Sequence, residues 1–256
     1  MSARAKSSAP VTGSRPAATG AILASQTRME LRLTVRRGES LLLTLVIPLV
    51  LLGFFDAVHL DGAGIAFLVP GILALAIMSS AFTGQAIATG FERSYGVLAR
   101  LGTTPLSRPL LLTAKTLGVV VVEIVQAALL VGLGLLLGWH PHGNAGTALL
   151  LLVLGTAAFS GLGLLMAGTL RAEATLAAAN GIYLVLLLLG GVVFPLDRLP
   201  GWLEAIADQL PTAALSNGLR SALTAGAGLP VHDLLVLLAW TVVGIAAAAR
   251  TFRWQA

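Results

Sequence analysis

Glu123 stands alone among charges in the run "LGVVVVEIVQAALLVGLGLLLGW", and Gln126 follows close to one helical turn later. A carboxylate inside such a run costs several kcal/mol unless it is paired or neutralised, so it faces a bundle interior or a water path. Three roles fit these residue types at this spacing. Glu123 contacts a cationic or polar substrate, carries a proton, or holds a neighbouring helix by a hydrogen bond. Asn180 repeats the situation more weakly in a later apolar run. Other reactive groups are sparse. His140 and His142 form an "HPH" with no third ligand at suitable spacing, so a metal site there is disfavoured. Ser160 in "FSG" lacks a histidine in a later apolar run to act as its base. There is no cysteine, which excludes disulfides and thiolate sites. No G-x-x-x-x-G-K-[ST] phosphate loop occurs, so the chain does not bind and hydrolyse ATP by that route. No enzymatic residue and no cofactor of its own are expected.

The elements that hold these residues must be membrane helices. Of 256 residues, 57% are hydrophobic and only 11% charged, with mean hydropathy +0.92. A soluble domain carries about 25% charged residues. The expected class is therefore all-α and integral to the membrane. Spans need about 20 apolar residues, and six such runs lie near 41–58, 64–89, 109–138, 147–170, 176–195 and 231–249. The third is too long for one straight span, so a bend or an interfacial first turn is expected. Pro48 and Pro70 are expected to kink the first two. Residues 1–23 read as a disordered cytoplasmic tail, and 24–256 as one six-span domain. Within 24–40, Met29, Leu31, Leu33 and Val35 alternate with polar residues, a strand period. A surface helix is preferred, because a lone strand would leave its backbone unpaired.

The basic residues orient the bundle. Six spans place both termini on one side, and fourteen of sixteen Lys and Arg then fall on that side. Positive residues mark the cytoplasm. The net charge of +5 is thereby a topology signal, and no nucleic acid is expected as a partner.

Between the second and third spans lies "GFERSYGVLARLGTTPLSRPLL". Phe91, Tyr95, Leu98 and Leu101 recur at helical spacing and predict one shared face. Arg93 and Arg100 lie on another. Gly102 and Pro105 end the helix, and Pro109 suits the first turn of the next. The pattern predicts a cytoplasmic amphipathic helix, a turn and a return to the membrane. A plain basic loop that only fixes topology fits the composition equally. On the outer side, Pro195 and Pro200 break the fifth span, Trp202 suits an interface, and Leu203, Ile206, Ala207 and Leu210 predict a short helix. A second follows through Leu215–Leu223.

Two of these stretches resemble the permease subunits of type-2 ABC exporters. The first match is carried by Phe91, Glu92, Arg93, Gly96, Leu98, Arg100, Leu101, Thr104, Pro105, Leu106, Ser107, Arg108 and Lys115. The second runs through Gly190, Gly191, Phe194, Pro195, Leu199, Pro200, Trp202, Leu210, Pro211 and Arg220. The resemblance implies that residues 91–108 dock a separate ATPase chain, which carries ATP and Mg. It implies a second permease subunit, identical or not, and a bacterial inner-membrane location. It implies that the stretch from Gly190 to Trp202 closes the outer end of the path. Glu123, Gln126 and Asn180 become candidates for lining that path, and membrane lipid surrounds the whole. Such exporters move drugs, antibiotics, lipids or glycan precursors outward by alternating access, and the small outer loops favour a drug-like or lipid-like amphiphile. Two other classes remain open: a secondary transporter driven by protons through Glu123, and a non-transporting assembly or immunity factor.

Overall fold

The computed structural model describes residues 18–36, 38–58, 64–104 and 106–253. All regular structure among these residues is helical: α1 (Thr19–Arg36), α2 (Gly38–Ala57), α3 (Ile65–Ile77), α4 (Gln85–Ser94), α5 (Val97–Leu101), α6 (Arg108–Leu136), α7 (Ala145–Thr169), α8 (Ala172–Leu189), α9 (Gly201–Ala207), α10 (Pro211–Leu223) and α11 (Val231–Thr251). A seven-residue π segment, Met78–Gly84, joins α3 to α4. A short 3-10 turn, Leu196–Arg198, precedes α9.

Five helical stretches are long and apolar enough to cross a membrane, and a sixth results if α1 and Leu41–Ala57 are taken together across their 70° bend. The chain is a multi-pass membrane protein. The spans follow the apolar runs closely, because a backbone in hydrocarbon has no partner but itself. One local expectation needs correction, and of the two forms offered for the long third span the bend is absent. Ile65–Ser94 is α-helical straight through Pro70, and the change of helical pitch falls eight residues later, at Met78. The long third span shows no break: α6 runs 29 residues, about 43 Å at ~1.5 Å per residue, against a hydrocarbon layer of about 30 Å. Its ends therefore project beyond the lipid core.

The α3–π–α4 span forms the centre and is the most enclosed of the five. Leu68, Ile72, Met78 and Phe82 lie at its buried face, with Phe159 and Leu215 from α7 and α10 against them. The tightest pairing is α7 with α11. Gly161 makes it possible: a Cβ there would lie 2.8 Å from the Gly244 carbonyl carbon and the Ile245 nitrogen. Backbone cannot move aside as a side-chain tip can. Lys115, by contrast, brings α1 onto α6 through polar contacts described below.

Adding a methyl group at Gly161 therefore overpacks the α7–α11 contact. Gly161→Ala is expected to destabilise the protein by about 1–3 kcal/mol. Gly132→Ala, where a Cβ meets nothing within 4 Å, should be neutral or stabilising by up to about 1 kcal/mol. Thermal unfolding of both variants in detergent checks the contrast.

Candidate functional site

The segment Phe91–Arg108 does not form one helix with one apolar face. Gly96 adopts φ +72°, a left-handed conformation that glycine takes without steric cost. The chain turns there, separating α4 from the five-residue α5. The four residues expected on one face are divided as a result. Leu98 is fully buried in a cluster with Leu106, Leu111, Leu164, Ala248 and Phe252. Tyr95 points outward, 73% exposed. Phe91 and Leu101 are half-buried, and the Phe91 and Tyr95 rings lie 6.0 Å apart. Arg100, Thr104, Ser107 and Arg108 are exposed. Thr103 and Thr104 turn their hydroxyls back onto Arg100 and Leu101 carbonyls, closing the turn. Pro105 lies outside the described residues.

Glu92 and Arg93 face inward, not outward. Lys115, two turns into α6, is 4% exposed and holds two carboxylates: Glu92 Oε2 at 2.5 Å and Glu30 Oε2 at 3.1 Å. Gln26 Nε2 donates to Glu30 Oε1 at 3.0 Å and secures the other oxygen. One ammonium thus ties α1, α4 and α6. Arg93 takes the opposite direction and donates through Nη2 to the Leu170 carbonyl at 2.6 Å. It thereby caps the C-terminus of α7, where the helix dipole favours a cation. The backbone nitrogen of Arg253, just past α11, donates to the Gly168 carbonyl beside it.

Glu123 sits near the middle of α6 and is held from two sides. Ser80, within the π segment, donates to Oε1 at 3.0 Å, and Thr156 of α7 donates to Oε2 at 2.6 Å. Gln126 donates to the Thr44 carbonyl of α2 at 2.7 Å. Of the roles open to Glu123, the hydrogen bond between helices is the one the geometry forms. Glu123 and Gln126 also border an apolar groove of about 410 Å³ between α3, α6 and α7. Asn180 does not join them. It lies on the exposed side of α8, among Ile182, Leu184 and Val185.

At the far end of the bundle, Arg220 of α10 gathers the chain that follows α8. Its guanidinium donates to the carbonyls of Gly191 at 2.6 Å, Val192 at 3.1 Å and Phe67 at 3.2 Å. It also stacks 3.5 Å over the Phe67 ring, and Nη1 reaches Asn217. Ser216 donates to the Gly190 carbonyl. Gly190 and Gly191 are buried, the latter with φ +61°. A Cβ on Gly190 would strike the Thr212 side chain at 2.4 Å. Phe194 and Trp202 are exposed, Pro195 and Leu199 half-buried, and Pro200 exposed. Among the described residues, no three His, Cys, Asp or Glu come together as a metal site.

The model of the family described as "ABC-2 type transporter" matches residues 23–224. This chain belongs to the ABC-2 type transporter family. Three relatives share its sequence over long stretches. The daunorubicin resistance ABC transporter permease protein DrrB1 of Streptomyces coeruleorubidus is 29% identical over 84% of this chain and 80% of its own length. The putative transport permease YvfS of Bacillus subtilis (strain 168) is 23% identical over 87% of this chain and 93% of its own. The linearmycin resistance permease protein LnrN of the same organism is 30% identical over 63% of this chain and 43% of its own.

The match to the ABC-2 family spans α1 to α10 and so covers the Lys115 tie, the α4–α5 turn and the Arg220 clamp alike. Lys115 and Arg220 fall within the two resembling stretches, yet composition offered no reason to single them out. The signal was present as a pattern: each is a lone basic residue at or beside an apolar run. Glu30 carried no such mark, since it sits in a stretch that reads as ordinary polar surface.

Removing Lys115 takes its ammonium away from Glu30 and Glu92 in a buried site. Lys115→Met should cost about 3–5 kcal/mol, read as a large fall in melting temperature, and Glu30→Gln with Lys115 intact less. Arg220→Met leaves three carbonyls without their donor and should cost at least about 2 kcal/mol. Glu123→Gln, which keeps hydrogen-bonding capacity toward Ser80 and Thr156, should cost less than about 1.5 kcal/mol.

Proposed function

We propose that this chain is the permease subunit of an ATP-driven exporter that moves an amphiphile of drug, antibiotic or lipid type outward. The observation that carries the reading is the construction of residues 91–108. Its outer surface presents Tyr95, Arg100, Thr104, Ser107 and Arg108. Beneath that surface Leu98 and Leu106 are packed into the bundle, and Glu92 is clamped by Lys115. A load applied to the exposed residues therefore passes to α1, α4, α6 and, through Arg93, to α7. A loop that merely fixed topology would need no such anchoring.

In this reading a separate ABC ATPase chain, which holds ATP and Mg, docks on Tyr95–Arg108 from the cytoplasm, where both termini lie. Closure of two ATPases pushes this segment, and alternating access follows in the bundle. The stretch Gly190–Trp202 with α9 and α10 dips from the outer side and closes the path, braced by Arg220. A second permease subunit covers the exposed side of α8, which removes Asn180 from lipid; a polar side chain at mid-span is costly there otherwise. The two permeases line one path between them. Relatives named for daunorubicin and linearmycin resistance support antibiotic efflux as the task, and a bacterial cell membrane as the place.

Co-expression with an ATPase encoded next to this gene tests the reading. The parent chain is expected to co-purify with the ATPase. Arg100→Glu combined with Tyr95→Ala should reduce both co-purification and transport by at least about tenfold, while the melting temperature of the permease stays within about 2 °C, since both side chains are exposed. Unchanged association and transport in that variant would place the docking surface elsewhere.

A further inference from the structure

A second cavity, about 150 Å³ and partly open, lies between α1, α2, α4 and α6. Glu30, Glu92 and Lys115 border it, joined by the tie described above. Ser80 borders it too, with its hydroxyl on Glu123. Leu33, Leu41 and Val119 supply apolar sides. The charged groups are held in their tie; the open group on this wall is an uncharged one.

Gln85, the first residue of α4, lines this cavity and is 5% exposed. Among the described residues, neither its amide nitrogen nor its amide oxygen has a hydrogen-bond partner. Buried side-chain amides in native proteins are nearly always bonded. The terminal torsion of a glutamine is broad, so the amide can turn toward a group placed in the cavity. To be satisfied it needs a donor and an acceptor side by side. A carboxamide or lactam offers that pair in its own N–H and C=O. A hydroxyl carries both functions on one atom and meets the amide at bent angles, which weakens each bond. A carboxylic acid has lost its donor proton at neutral pH. Water completes the amide but leaves the apolar sides wet, which costs free energy. An engineered cavity of about 150 Å³ admits a benzene ring, which sets the size of the part that is enclosed.

We propose that this cavity binds a neutral amphiphile bearing a carboxamide or lactam, whose N–H and C=O pair with the Gln85 amide while its apolar body rests on Leu33, Leu41 and Val119. That such a molecule is also the exported one rests on the permease reading above; the binding itself does not. The test uses the full chain in lipid nanodiscs and saturation-transfer NMR, with empty nanodiscs as background. Benzamide is the probe. Acetophenone is its control: it matches benzamide in size and keeps the carbonyl, but a methyl group replaces the donating NH₂. Benzamide should bind saturably, and acetophenone at least about tenfold more weakly, because a buried acceptor is then left unpaired. Gln85→Leu removes the open amide. It should weaken benzamide at least about tenfold and abolish the preference over acetophenone. Ala88→Phe fills the cavity from another position on its wall and should weaken benzamide at least about tenfold. No saturable benzamide binding by the parent chain, equal binding of benzamide and acetophenone, or parent-level affinity in Ala88→Phe overturns the site. The first two need no variant, so they decide even if a substitution fails to fold. Co-purification with the ATPase reads the other assignment separately. Benzamide binding without ATPase association supports the site and counts against the permease, and the reverse result does the opposite.

Discussion

Lys115 cannot stand in a membrane interior unpaired, and most of the half of the bundle around it follows from how it is paired. The ammonium is 4% exposed and meets Glu30 and Glu92 from two different helices. Breaking a buried pair leaves a charge without compensation, which costs far more than the pair itself contributes. The three helices are thus held to one arrangement by the penalty for every other. Gly118, one turn beyond Lys115, lets α1 come close: a Cβ there would lie 3.2 Å from the Glu30 Cβ. The tie and the close approach support each other, and together they set the α1–α6 contact and the walls of the cavity beside it.

The same logic recurs where helices end. A helix C-terminus exposes carbonyls that nothing in hydrocarbon can satisfy. Arg93 answers this at the end of α7 through the Leu170 carbonyl. Arg220 answers it after α8 through the Gly191 and Val192 carbonyls. Among the described residues, neither guanidinium makes an ion pair of the kind Lys115 makes. Each is held by peptide oxygens, and Arg220 additionally by the face of Phe67. The planar fork of arginine reaches two or three carbonyls at once, which an ammonium on a flexible stem does not do as well.

What the sequence showed and what it concealed divide along this line. The apolar spans were legible because hydrophobic length is the whole condition for crossing. The element at the Arg220 end was legible because its prolines and its leucine spacing mark α9 and α10 directly. The inner face of α1 was not. It presents Gln26, Glu30 and Thr34 at helical spacing, which counts as polar surface, while the apolar residues Met29 and Val35 point outward. A count of hydrophobic residues therefore found a strand period in a helix. Only the partner, Lys115, makes that polar face an inward one, and Lys115 lies 85 residues away. The break at Gly96 escaped for a related reason: the spacing of Phe91, Tyr95, Leu98 and Leu101 is helical, yet one glycine in a left-handed turn redirects everything after it.

Glu123 gains a different meaning from the residue that holds it. Ser80 lies inside the π segment, where the backbone carries wider turns than an α-helix. The Ala76 and Ile77 carbonyls on its own helix lie within reach of the same single hydroxyl proton, at 3.0 and 3.3 Å, and compete with Glu123 for it. The hydroxyl therefore links the one irregular turn of the central span to the middle of α6, and Thr156 extends the link to α7. α4 is tied at one end by Lys115 on Glu92 and runs at the other into the π segment Met78–Gly84. The Glu123 carboxylate connects that segment to α6 and α7 together. A buried acid in this position is the joint between three spans, the role its two hydrogen bonds form.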